Sequence, residues 1–124
     1  MAKGDHLAVW RGTYLHHGID IGLELVIHFP GSYWPLEWAR QRVDIVSKAV
    51  FKDKGVMVVV PHLKPDPARI VLARAASQLG RSGYHLKDSN CEHFATWCAT
   101  GEWRSSQVDI VRSLLIAGTT SYIF

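Results

Sequence analysis

The sequence predicts an α+β domain, an antiparallel sheet packed against helices. Residues 6–60 carry short alternating or β-branched runs separated by glycine turns. Residues 66–115 carry helix caps and 3.6-residue apolar spacing instead. Strands come first and helices second, without the βαβ alternation of a parallel sheet. The chain has 124 residues, 48% of them hydrophobic and 20% charged. That is the size and composition of one domain, expected over residues 1–124, and it excludes disordered and low-complexity classes.

Each element has a local reason. His6, Leu7, Ala8, Val9 and Trp10 alternate and end at Arg11-Gly12, a strand followed by a turn. Residues 14–21 and 25–29 are extended runs around Gly22-Leu23-Glu24, a hairpin pattern. A short helix is expected over 35–42, with Trp34 and Trp38 one turn apart. Residues 43–46 read as a strand, and residues 47–51 as one helical turn capped by Ser47. Residues 56–60, Val-Met-Val-Val-Val, read as another strand. Asp66 and Pro67 suit the N-cap and first turn of a helix over 68–79, which Gly80 ends in a left-handed conformation. Ser89-Asn90-Cys91-Glu92 is a Ser-x-x-Glu capping box opening a further helix, which Gly101 stops. Ser105 or Ser106 caps a last helix with a Val108, Val111, Leu114 and Leu115 stripe.

The formal charge is +3, with 14 Lys and Arg against 11 Asp and Glu, and the basic residues are scattered. No run or stripe of cations points to nucleic acid, so no nucleic-acid partner is expected. Cys91 and Cys98 on one helix stand roughly 10 Å apart along the axis, too far for the reach of about 7 Å that a disulfide allows. No second ligand pair suggests a zinc site, and neither metal nor cofactor is expected. The N-terminus lacks the apolar stretch of a signal peptide. The apolar runs 56–61 and 114–118 are far below the ~20 residues of a membrane span. Free thiols without an export signal predict a cytoplasmic protein.

The chemistry concentrates at the helix beginning near Ser89. Cys91 falls in its first turn, where free amides and the positive end of the helix dipole favour a thiolate. Cys91, Phe94, Ala95 and Cys98 share one face, expected to point into the core, with Glu92, His93, Thr96 and Thr100 on the others. A thiol nucleophile needs a base, usually distant in sequence. Among seven histidines, His16 and His17 on one strand and His28 on the next stand out. A three-residue turn centred on Gly22 pairs His16 with His28. A two-residue turn at Gly22-Leu23 pairs His17 with His28. Either register sets two imidazoles side by side, one to take the thiol proton and one to orient it. His6, His62, His85 and His93 read as solvent-facing or structural.

Gly4-Asp5-His6, His16-His17-Gly18-Ile19, Val26-Ile27-His28 and above all Asn90-Cys91-Glu92-His93-Phe94 resemble the lecithin–retinol acyltransferase domain family, with its H-box and NCEHF box. The likeness covers residues 4 to 108 and is weakest over 32–56. It implies a circularly permuted papain-like fold in which strand histidines precede a cysteine at a helix start. It assigns the catalytic histidine to His16 rather than His17, the second histidine to His28 and the nucleophile to Cys91. Tyr14 matches a tyrosine of some members and is assigned a place near the oxyanion. Asp20 stands where the family strand often carries tyrosine.

The resemblance implies a thiol-dependent acyltransferase or hydrolase. Cys91 would form an acyl thioester from an acyl lipid or other ester and pass it to an amine, an alcohol or water. Membrane contact is expected to be peripheral at most, through the last helix or Trp34 and Trp38. Two other functions fit the same boxes. One is a non-catalytic interaction module, and the other is a cell-wall-type cysteine amidase or peptidase, which the missing export signal disfavours.

Overall fold

The computed structural model describes residues 1–12, 15–29, 42–81 and 91–103. In chain order these residues form β1 (His6–Trp10), β2 (Leu15–Gly22), β3 (Leu25–His28), β4 (Asp44–Ser47), α1 (Lys48–Lys52), β5 (Met57–Val59), α2 (Ala68–Ser77) and α3 (Cys91–Thr100). The strands make one sheet in the order β4-β3-β2-β1-β5, with every neighbouring pair antiparallel. This is the expected α+β architecture. The helix expected over 35–42 (Arg42 apart), the Ser89 cap and the last helix fall outside the described residues.

The sheet is covered on both faces. One face carries Ile19, Ile27 and Phe29, which pack with Val71 and Ala75 of α2 and with Phe94, Ala95 and Cys98 of α3. The other carries Leu7, Val9 and Val26, closed by Phe51 of the short helix α1. Ser47 caps α1 as expected, its hydroxyl accepting the Val50 N–H at 3.1 Å. Pro67 rather than Asp66 is the N-cap of α2. The Asp66 carboxylate instead receives Arg74, which also donates to the Cys98 carbonyl and so ties α2 to α3. Gly101 follows α3 at φ +81°, the stop expected there. Helix α2 instead ends short of the expected residue 79, at Ser77 with Gln78 as its C-cap, and Gly80 takes its φ of +82° two residues further on. β5 is shorter than the apolar run suggests and lies at the sheet edge, with Val58 and Val59 exposed.

The β2–β3 hairpin corrects both expected registers. Gly18 faces His28, Ile19 faces Ile27, Asp20 faces Val26, and the ladder then shifts so that Gly22 faces Leu25. The turn falls on Leu23 and Glu24, at φ +57° and +59°. Those values have the sign of a type I′ turn, which matches strand twist but costs side chains that ordinarily avoid the left-handed region. Asp20 explains the shift. Its buried carboxylate accepts the Gly22 N–H at 2.8 Å and pairs with Lys48 Nζ at 2.8 Å. Asp20 thus pins the bulge of the hairpin to α1.

Candidate active site

His16, Gly18 and Asp20 project from one face of β2, while His17 and Ile19 project from the other. Because His28 faces Gly18, it is the diagonal neighbour of His16 on the same face. The rings still meet, with His16 Nε2 2.7 Å from His28 Nδ1. Gly18 makes this approach possible. A Cβ there would stand 2.6 Å from Val26 Cγ1 and 2.8 Å from Phe51 Cε1. Phe51 backs both imidazoles, its centroid 5.2 Å from that of His16 and 6.1 Å from that of His28.

Burial, the neighbouring ring and the Arg11 cation push His16 down to about 3. Burial pushes His28 down to about 4, against the opposing pull of Asp44. Both rings are therefore neutral near pH 7, and their shared bond holds a single proton.

The cysteine reaches this strand from the side. Asp20 N and O bond to Asp5 O and Gly4 N on the β1 side, so by strand alternation the Leu15 carbonyl and His17 N–H point the opposite way. There β3 has ended, since its pairing with β2 begins at Gly18. The Cys91 thiol occupies that open ladder position. It donates to the Leu15 carbonyl at 3.8 Å and receives the His17 backbone N–H. The sulfur thus lies against the backbone on either side of His16. The helix body covers the His17 face, whereas the His16 and His28 rings lie on the Phe51 face.

The expectation of a resting thiolate is corrected. Burial pushes the Cys91 thiol up to about 11, and the nearby Glu92 carboxylate adds to the rise. The His17 amide and the first amides of α3 oppose this without overcoming it. Desolvation of the anion outweighs the helix terminus. Cys98 is fully buried, its thiol pushed up to about 12, and both cysteines are free. It is a core residue.

On the α3 face lies a second line of imidazoles. His62 Nε2 is 2.8 Å from His6 Nδ1, His6 Nε2 is 2.7 Å from His17 Nδ1, and His17 Nε2 is 3.4 Å from Glu92 Oε2. The carboxylate favours a proton on His17 Nε2, which makes His17 Nδ1 an acceptor and orders the proton in each preceding bond. Burial holds His17 down at about 4, with Glu92 pulling the other way, and holds His6 well below the ordinary range. Of the two readings open to His6 from sequence, solvent-facing or structural, burial removes the first, and Glu92, which the sequence places off the core face, is enclosed too. Both are buried, as is Thr96, so α3 is enclosed on more than the predicted stripe. Only the β1–β2 register, which sets His6 beside Ile19 and Ala8 beside His17, reveals the line.

Tyr14 and His85 lie outside the described residues, as do Trp34 and Trp38. Among the described residues no group of three or more His, Cys, Asp or Glu is arranged to hold a metal ion. No described helix is long and apolar enough to cross a membrane.

Comparison with known proteins meets this geometry. The profile of the lecithin retinol acyltransferase family matches residues 1–104. The chain is 30% identical over 136 residues to lecithin retinol acyltransferase of Mus musculus, covering 86% of this chain and 58% of that protein. To phospholipase A and acyltransferase 3 of Mus musculus it is 30% identical over 131 residues, covering 93% of this chain and 81% of the relative. The human counterpart is 28% identical over the same length. The chain therefore spans under two thirds of the first of these relatives and most of the second. With the family profile matched from residue 1 to residue 104, across both the histidine strands and the cysteine helix, this chain belongs to the lecithin retinol acyltransferase family.

Proposed function

We propose that the chain is a thiol-dependent acyltransferase or hydrolase acting on an acyl lipid or related ester, with Cys91 as nucleophile, His16 as base and His28 orienting the base. The observation that carries this reading is the hydrogen bond between His28 of β3 and His16 of β2, the strand whose open edge receives the Cys91 sulfur. The relatives named as acyltransferases and a phospholipase support the reaction class.

The resting groups define the order of events. A thiol near 11 beside imidazoles near 3 and 4 is a neutral ensemble, not a thiolate–imidazolium pair. Proton transfer therefore accompanies attack. The sulfur adds to the ester carbonyl as His16 takes the thiol proton. The α3 amides that already face the sulfur are suited to meet the developing oxyanion. Collapse breaks the ester C–O bond, His16 returns its proton to the leaving alkoxide, and the acyl group remains on Cys91 as a thioester. In the second half an amine, alcohol or water gives a proton to His16 and attacks the thioester. The acyl product leaves and Cys91 is reprotonated.

Intact-mass measurement after incubation with a short-chain phospholipid tests this. The wild type gains one acyl mass and Cys91→Ala gains none. A wild type without adduct on phospholipid or activated ester, retaining a binding partner instead, returns the chain to the interaction-module reading.

A further inference from the structure

Arg11 lies at the end of β1 and enters none of the steps above. It is half-buried, and its guanidinium carbon sits 5.9 Å from the Phe51 centroid. Phe51 is thus a shared platform carrying Arg11, His16 and His28. No carboxylate of the described residues forms an ion pair with Arg11. The nearest acidic influence on the imidazole pair is Asp44, which acts on His28 across the β3–β4 ladder and gives its own oxygen to the Ile45 amide. The charge of Arg11 is felt by both imidazoles.

A half-buried guanidinium gives up part of its hydration, and that loss is ordinarily offset by a carboxylate or phosphate. Here the offset among the described residues is one aromatic face. The guanidinium fork beside the Phe51 face leaves donors for a tetrahedral anion. A cation so placed also works against the neighbouring base becoming charged, which an anion brought in by the substrate would relieve.

We propose that Arg11 binds the phosphodiester of the acyl donor and so selects phospholipids over uncharged esters. The proposal rests on the reading of Cys91 and His16 as an acyl-transfer pair, since in a glycerophospholipid only a few bonds separate the phosphorus from the ester carbonyl. Arg11 is then a specificity residue, and the phosphate, once bound, acts as counter-ion beside the imidazole pair.

Two measurements test it. In the first, Arg11→Gln and Arg11→Lys are compared with wild type on a short-chain diacyl phosphatidylcholine and on an uncharged acylglycerol of equal chain length. The ratio of kcat/KM for phospholipid over acylglycerol falls about 10- to 100-fold in Arg11→Gln, as expected for a lost charged hydrogen bond, and by less in Arg11→Lys. Equal losses on both esters, leaving the ratio unchanged, overturn the proposal. The second uses Cys91→Ala and a diether phosphatidylcholine, which has no ester to cleave, with calorimetry as readout. Adding Arg11→Gln to that background weakens binding about tenfold or more, and salt weakens binding more when Arg11 is present than when it is replaced. Binding insensitive to both the Arg11→Gln change and salt overturns it. If wild type acylates Cys91 while the ratio stays fixed, only the Arg11 assignment fails. If no ester acylates Cys91, the catalytic reading fails with it, and the diether measurement still decides whether Arg11 holds a phosphate.

Discussion

At the scale of single residues, the site is set by what burial does to three ionisable groups. His16 and His28 are held near 3 and 4 and Cys91 near 11, so each is neutral over the working pH range. Alkylation of Cys91 by iodoacetamide in the free protein should climb steadily with pH towards about 11, without a thiolate plateau near pH 6. Ester acylation should behave differently, because it depends on His16, a base already free above about 3. Its rate should fall only as pH drops through the imidazole values, and it should persist at neutral pH. His28→Gln keeps a hydrogen-bonding group beside His16. It should cost about tenfold in acylation, the smaller end of what loss of a supporting partner does to a site.

Cys91 and the histidines were legible as types at this scale, because a thiol in a first helical turn and paired strand imidazoles carry chemistry wherever they occur. Their protonation was not legible. It depends on how deeply the other elements bury them, which no local pattern encodes.

At the scale of elements, β1 was read to the residue, and the hairpin strands and the Ser47-capped turn to within a residue, from alternation and turn chemistry. The hairpin register was not, because Gly22 attracts the turn in any sequence-based reading while the chain turns one step later. The reason is tertiary, since Asp20 is held by Lys48 from α1 and takes the Gly22 amide. The same shift separates Gly18 from side-chain competition and lets the diagonal imidazoles touch. Glu24→Gly should raise stability by about 1 kcal/mol in urea denaturation, by relieving a left-handed side chain. The loss of an exposed contact with Lys48 at 3.9 Å will not cancel that gain. Gly18→Ala should lose about 1–3 kcal/mol, because its Cβ has no room between Val26 and Phe51.

At the scale of the whole molecule, His6, His16, His17 and His28 are all buried with values lowered from the ordinary 6.5. Above 6.5 neither the folded nor the unfolded chain protonates them. Between 6.5 and about 4 the unfolded chain takes up protons that the folded chain refuses, so unfolding gains as pH falls. Stability is therefore complete above the unfolded value and is lost towards about 4, at about 1.4 kcal/mol per pH unit for each fully displaced ring. Denaturation midpoints at pH 7 and pH 5 should differ sharply. A His17→Phe variant, which removes one such ring from the core, should narrow the gap. Equal midpoints would mean that these rings meet water in the folded chain.

The catalytic account stands or falls on the partnership between one sulfur and one ring. Its most direct measure is the rate at which the acyl group appears on the Cys91 peptide, followed by mass spectrometry during a single turnover of short-chain phospholipid in wild type and His16→Ala. The account predicts acylation of Cys91 in the wild type and a rate lower by about 100-fold or more in His16→Ala, the share that a positioned base supplies. Acylation of the His16→Ala protein at the wild-type rate, or an acyl group found on another residue, would contradict it.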